Sequence, residues 1–345
     1  MLIACRVLTA LCLSLVTLSQ FACSNSTTEV ENLEQEPVVL LIALDGFSQQ
    51  YLGKYPAPNI QQLIALGVVA DAMQPAFPTK TFPNHYSVVT GLYPGNHGII
   101  ENNIYDQDFD AIKTGTYFYP GSEAAIKGVR PSYWQAYDGD INNTERVASV
   151  LQWLRLPQAQ RPRFLTLYFS TIDDAGHRYG PNSTQVKAAV AEVDQAIGQL
   201  ISGLKKQNLF NKVNLILFSD HGMAEVPAEQ VIVVDNLFDT TKAALTLWTP
   251  EIVSIFPKAG ELESIYQQLK TGLPASAKVY RKTDLPERWH YRQSKRVAPL
   301  LIIPEPGWRL MQQSQQQRWL ARSSANSVTG SHGYDNIAPE MQAIF

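Results

Sequence analysis

Three stretches of the chain are short and almost continuously apolar: Val38 to Leu44, Phe164 to Ile172 and Val213 to Phe218. Unbroken apolar runs, in contrast to alternating ones, predict parallel strands buried on both faces. Each run stops at an aspartate: Asp45, Asp173 and Asp220. In open α/β sheets ligands bind outside the carboxyl ends of the strands, so these carboxylates are expected to share a site. A single aspartate after a strand is ordinary turn chemistry. Three such aspartates, two of them followed closely by histidine, point to a functional cluster.

Between the strands the apolar period changes to that of helices. Asn59 to Leu66 predicts a short helix with Gly67 placed to stop it. Thr144 to Leu156 predicts a second. Ser183 to Lys206 predicts the longest, with Val186, Val190, Val193, Ile197, Leu200 and Leu204 on one stripe. Alternation of strand and helix predicts one α/β domain over residues 37–345, built as three α/β/α layers on a mostly parallel central sheet. Asn102 to Lys127 shows no period and is expected to form surface loop near the site.

The first residues belong to a different category. Arg6 precedes the apolar run Val7 to Leu18, long enough for a signal segment and too short to span a bilayer. Residues 1–23 are therefore expected to be a signal peptide. Cys23, after Phe21 and Ala22, sits where a bacterial lipoprotein would be cleaved and lipidated, with plain signal cleavage as the alternative. Residues 24–36 are polar and predict a flexible linker. Cys5, Cys12 and Cys23 all lie in the leader, which agrees with export and adds no constraint to the fold. The expected location is periplasmic, or anchored to the membrane through lipid.

A formal net charge of −3 gives no electrostatic reason to expect a nucleic-acid polymer as partner. An anionic small molecule would have to be attracted locally. The residues suited to that are Asp45, the pair Asp173 and His177, the pair Asp220 and His221, and His332 in the C-terminal Ser331-His332-Gly333-Tyr334-Asp335. Mixed imidazole and carboxylate ligands suit zinc better than magnesium or calcium. Six such ligands divide into two sites of three, and paired zinc ions suit in-line phosphoryl displacement.

A nucleophile is offered by Phe77-Pro78-Thr79-Lys80-Thr81-Phe82-Pro83-Asn84-His85. Pro83 fits the first turn of a helix, which places Thr81 and Phe82 at its start, where free N–H groups and the positive dipole end favour a phosphoryl oxygen. An N-cap role for Thr81 is compatible with a catalytic one. Threonine needs activation, which zinc supplies by lowering the hydroxyl pKa.

The segment Thr79 to Tyr86, followed by Thr90-Gly91-Leu92-Tyr93-Pro94, resembles the signature of the nucleotide pyrophosphatase/phosphodiesterase family of the alkaline phosphatase superfamily. So do Asn96-His97-Gly98-Ile99, Asp173 to His177 with Tyr179-Gly180-Pro181, Ser219 to Met223, and His332 to Asn336. The resemblance runs in order from about Pro37 to the last residue. It implies an alkaline phosphatase-like fold and two Zn2+ ions, one held by Asp45, Asp220, His221 and Thr81, the other by Asp173, His177 and His332. Asn102 would hydrogen-bond a phosphoryl oxygen, and Phe82 and Tyr137 would sandwich a nucleobase. His85 and His97 are read as structural. Two Zn2+ against three aspartates leave about one positive charge, which suits a singly charged diester. The implied route has Thr81 attack phosphorus, the alcohol depart, and water hydrolyse the phospho-threonine.

Two departures from the family pattern bear on this expectation. Asp106 to Thr114 stands where relatives carry a longer segment, and the chain stops at Ala343-Ile344-Phe345 inside a stretch that relatives extend. Three readings remain at this level: a nucleotide-directed phosphodiesterase, a lipid or choline phosphodiesterase on the same scaffold, and a metal-binding surface lipoprotein without activity.

Overall fold

The computed structural model describes residues 37–104, 119, 120, 122, 130–134, 136–322 and 327–345. The proposed signal peptide and linker, and the shortened segment from 106 to 114, lie outside the described residues.

In chain order, the first part of the fold comprises β1 (Val38–Leu44), α1 (Pro58–Leu66), α2 (Thr81–Thr90), α3 (Asn143–Leu154), β2 (Phe164–Phe169), α4 (Thr171–Tyr179), α5 (Thr184–Lys206) and β3 (Val213–Phe218). Among the described residues, the three strands form a parallel sheet in the order β2-β1-β3. The uniform apolarity of β1 follows from its central place. On one face Leu40, Ile42 and Leu44 join the α5 stripe Val190, Val193, Ile197, Leu200 and Leu204 in the main core. On the other, Leu41 and Ala43 pack with Tyr168 and Phe218. A central parallel strand sees no water on either side, so it has no reason to alternate.

The helices differ from the sequence expectation by one or two residues at their ends, and the caps explain why. Asn142 accepts a hydrogen bond from the Glu145 N–H at 3.0 Å, which starts α3 one residue early. Pro157 disfavours helical backbone at Leu156, so α3 ends at Leu154. Ser183 lies outside α5 as its N-cap, its hydroxyl accepting from the Val186 N–H at 3.2 Å.

One boundary corrects the sequence reading in a way that matters. The run Phe164 to Ile172 is not all strand: β2 ends at Phe169, and Thr171 opens α4. Asp173 is therefore presented from the first turn of a helix, where a carboxylate also meets the positive dipole end. The run looked continuous because Ile172 is buried in the core from the helix as it would be from a strand.

After β3 come β4 (Ala224–Pro227), β5 (Val231–Val233), β6 (Ala243–Trp248), β7 (Val253–Pro257), α6 (Leu262–Gly272), β8 (Ala277–Arg281), β9 (Leu300–Pro304), β10 (Arg309–Met311), α7 (Gln313–Arg322) and β11 (Val328–Ser331). The strands β6-β7-β9-β8 form an antiparallel four-stranded sheet with its own core, in which Val253, Ile255, Leu300 and Ile302 meet Ile265 and Leu269 of α6. The sequence reading placed no element here; the strands are short, and proline ends β7 and β9. β11 pairs antiparallel with β4, Ser331 opposite Ala224, which carries the following His332 to the segment after β3. Pro37–Phe345 form one compact unit.

Leu200 is fully buried in the main core. Leu200→Ala is expected to lower unfolding free energy by about 2–5 kcal/mol, read from the urea midpoint at constant slope.

Candidate active site

β1 ends at Leu44 and Asp45 follows directly, whereas β3 ends at Phe218 with Ser219 before Asp220. Parallel register brings the two carboxylates to one end of the sheet, and α4 adds Asp173 beside them. The chain gathers its ligand-type side chains into two groups there: Asp45, Asp220 and His221, and Asp173, His177 and His332. Within each group the ligand atoms lie within 4.8 Å of one another. The groups adjoin, since the His221 and His332 rings stack with centroids 3.5 Å apart.

The tautomers follow from the hydrogen bonds. His221 Nδ1 faces the Gly222 carbonyl at 2.9 Å, His177 Nδ1 the Gly330 carbonyl at 3.1 Å, and His332 Nδ1 the Thr79 carbonyl at 2.7 Å. A carbonyl only accepts, so each Nδ1 carries a proton and Nε2 is the ring nitrogen turned to the site. Those nitrogens meet carboxyl oxygens and one another. His221 Nε2 is 3.0 Å from Asp220 Oδ2 and 3.3 Å from Asp45 Oδ1, His177 Nε2 is 3.4 Å from Asp173 Oδ2, and the Nε2 atoms of His177 and His332 are 3.1 Å apart. Asp45 Oδ1, Asp173 Oδ1 and Asp220 Oδ2 are buried without hydrogen-bond partners. Buried acceptors aimed at one another are stable only with a proton or cation between them. The donor set, imidazole nitrogen with carboxylate oxygen in threes, fits zinc.

The electrostatics show the same stress. Burial pushes the Asp45 carboxyl well above its usual range, and Asp220 and Asp173 add to it. Asp173 is raised mainly by burial as well. Burial also opposes charge on Asp220, but the imidazoles of His221 and His85 outweigh it and hold this carboxyl well down. His221 is raised despite burial, chiefly by Asp220, while burial and the neighbouring imidazoles push His332 well down.

Thr81 is the first residue of α2, and Lys80, in extended backbone, is the N-cap. The Thr81 hydroxyl lies 3.3 Å from His221 Nε2, at the mouth of the first group. The expected free N–H groups at this helix start are fewer than the sequence implied: the Phe82 N–H donates to Asn102 Oδ1 at 3.0 Å, and Pro83 has none. That bond orients Asn102 with its Nδ2 amide as the remaining donor. Phe82 is half-buried. Tyr137 is exposed, its hydroxyl 3.3 Å from Ser170 Oγ and its ring edge-on to Tyr168 at 6.4 Å, which places it near the carboxyl end of β2.

Tyr168 and Gly46 escaped the sequence reading, whereas His85 is expected there as a structural residue. Tyr168 donates its hydroxyl to Asp45 Oδ2 from the neighbouring strand; a tyrosine in an otherwise apolar strand is the signal, since its hydroxyl must find a partner when buried. His85 Nδ1 lies 2.9 Å from the Thr81 carbonyl and 3.4 Å from Asp220 Oδ2, so it ties the start of α2 to the first group. Gly46 has φ +67°, donates its N–H to Asp220 Oδ1 at 3.2 Å, and runs so close to Asp173 that a β-carbon would lie 3.0 Å from its Cα and Oδ1.

The chain matches the family described as "Type I phosphodiesterase / nucleotide pyrophosphatase" over residues 39–114 and 108–335, and belongs to that family. Human ectonucleotide pyrophosphatase/phosphodiesterase family member 1 is 36% identical over 348 residues, covering 90% of this chain but 37% of the relative. A venom phosphodiesterase of Crotalus durissus collilineatus is 36% identical over 360 residues, covering 94% of this chain and 42% of the relative. The chain thus spans well under half the length of these two relatives. Human family member 5 is 33% identical over 361 residues, covering 96% of this chain and 72% of the relative. The solved murine family member 5 superposes with a TM-score of 0.79 at 32% identity, covering 89% of this chain and 87% of that one. An inactive Thr-to-Ala variant of it, solved in complex with AMP, also has a TM-score of 0.79 at 32% identity, with 90% and 87% covered. The fold is the alkaline phosphatase-like α/β class.

Gly46→Ala places a β-carbon against Asp173 in a backbone conformation that side chains resist. We expect a loss of about 1–3 kcal/mol in the metal-free protein together with weaker zinc binding, measured by urea unfolding and zinc titration. Wild-type values in both would show that the turn tolerates a side chain.

Proposed function

We propose that the chain is an exported, zinc-dependent phosphodiesterase/nucleotide pyrophosphatase that uses Thr81 as its nucleophile. The observation that carries this reading is the pair of three-ligand groups, with buried lone pairs converging beside the Thr81 hydroxyl. Family membership and the names of the relatives support phosphodiester or phosphoanhydride substrates. The inactive Thr-to-Ala relative supports a threonine nucleophile, and its AMP supports a nucleotide-like ligand.

On this reading Asp45, Asp220, His221 and Thr81 hold one zinc, and Asp173, His177 and His332 the other. When bound, the ions supply Lewis acidity, which lowers the pKa of the Thr81 hydroxyl and stabilises the attacking and leaving oxygens. Thr81 Oγ1 forms a bond to phosphorus as the bond to the leaving oxygen breaks, and water then cleaves the phospho-threonine to restore the hydroxyl. The Asn102 amide donates to a non-bridging phosphoryl oxygen. Phe82 and Tyr137 flank the base of a nucleotide, Phe82 from the same helix start that carries the nucleophile.

Three carboxylates against two zinc ions leave about one positive charge, matched to a monoanionic diester. Lys80 adds no clamp for a second charge, because its ammonium is ion-paired with Glu251. Residues 1–23 are proposed as the signal peptide with Cys23 lipidated, and residues 24–36 as the linker to the catalytic domain at 37–345.

With zinc, cleavage of bis-p-nitrophenyl phosphate is expected to exceed that of p-nitrophenyl phosphate and to vanish with chelator. Thr81→Ala should abolish turnover and still bind two equivalents of zinc, since six other ligands remain. Zinc loss in that variant would mark Thr81 as structural, and absence of cleavage by zinc-loaded wild type would overturn the assignment.

A further inference from the structure

Lys80 and Glu251 are both buried, at 7% and 2% exposure. Lysine and glutamate are almost never this buried unless paired, and these two form an ion pair. The second Glu251 oxygen accepts from the Ser331 hydroxyl. The result is a continuous polar chain from the residue before Thr81 to the residue before His332. None of its three members takes part in the chemistry described above.

The surroundings make this chain stiff. Glu251 comes from the tight turn between β6 and β7, where the Thr249 hydroxyl donates to the Ile252 carbonyl at 2.8 Å and accepts from the Ile252 N–H at 3.2 Å. The Pro250 carbonyl is held by the Leu310 N–H at 2.7 Å. The Lys80 stem crosses Gly333, where a β-carbon would lie 2.3 Å from Lys80 Cε. Thr79 completes the fastening: its hydroxyl oxygen accepts the Gly333 N–H at 2.8 Å, and its carbonyl accepts from His332 Nδ1. The strand end held in this way also carries the Gly330 carbonyl that fixes His177 Nδ1. Any slip of residues 330–333 would move His332, and the carbonyl that orients His177, relative to Thr81.

A buried ion pair is a poor source of stability, because desolvation offsets its Coulombic gain and an apolar pair is often as stable or more so. Its geometry is what an apolar pair would not reproduce. We propose that Lys80–Glu251–Ser331 is a positioning relay that holds the Thr81 hydroxyl in register with the His177 and His332 imidazoles. The proposal rests on the two-zinc reading above. Lys80 and Glu251 are positioning residues and not catalytic ones.

The full chain is compared with Ser331→Ala, Glu251→Gln and the apolar double variant Lys80→Met/Glu251→Leu. The measurements are melting temperature, zinc titration against a chromophoric chelator, and bis-p-nitrophenyl phosphate kinetics. Removal of such supporting partners typically costs about 10–100-fold in metal affinity or activity. We expect a kcat loss in that range for Glu251→Gln and a smaller one for Ser331→Ala, with KM nearly unchanged. One of the two zinc equivalents should weaken while the other holds. The apolar pair should melt at or above the wild-type temperature and still show the kcat loss and the weakened equivalent. Recovery of kcat along with melting temperature would overturn the relay and leave the pair as packing. Wild-type kcat and zinc affinities in both Ser331→Ala and Glu251→Gln would overturn it too, and would decide the matter should the double variant not fold. Failure of wild type to cleave diesters would instead strike the functional reading, with the zinc titration still reporting on the relay.

Discussion

The constraint on which this structure turns is a concentration of acceptors. Three carboxyl groups and three imidazoles crowd into a space a few ångströms across, and three of the carboxyl oxygens have no hydrogen-bond partner. Such an arrangement is repulsive by itself and costs several kcal/mol per buried charge. It becomes favourable only when protons or cations take the centre. On the proposed two-zinc reading, metal bound only by the folded chain would stabilise that fold.

The scaffold that holds this stress is built from elements distant in sequence. β1 and β3 bring Asp45 and Asp220 together by parallel register, Gly46 lets Asp173 approach from α4, and β11 returns His332 to the same place. Each histidine is pinned through its Nδ1 to a backbone carbonyl, so the rings cannot turn to relieve the repulsion. The proposed nucleophile, Thr81, enters the same network through His85, which touches both the Thr81 carbonyl and Asp220. Placing reactive groups on rigid strands and helix starts, and fixing them from behind, is what positional catalysis requires.

Much of this was legible in the chain because it was local. The apolar runs at Val38 and Val213, the helical stripe on α5 and the aspartates following strands are patterns of a few residues with one physical cause each. What was not legible depends on partners far apart. Lys80 and Glu251 are 171 positions apart, and nothing near either residue marks it as paired. Tyr168 meets Asp45 only across a strand register. Gly46 reads as a turn glycine until Asp173 is seen behind it. The run through Ile172 misled for a different reason: burial imposes apolarity on helix and strand alike, so periodicity could not find the change after Phe169.

The most direct test of the two-cation centre is anomalous X-ray diffraction from crystals grown with zinc, recorded on either side of the zinc absorption edge. Two edge-specific peaks are expected, one among Asp45, Asp220, His221 and Thr81, the other among Asp173, His177 and His332. A single peak, or peaks away from these side chains with the six acceptors satisfied by protons, would contradict it.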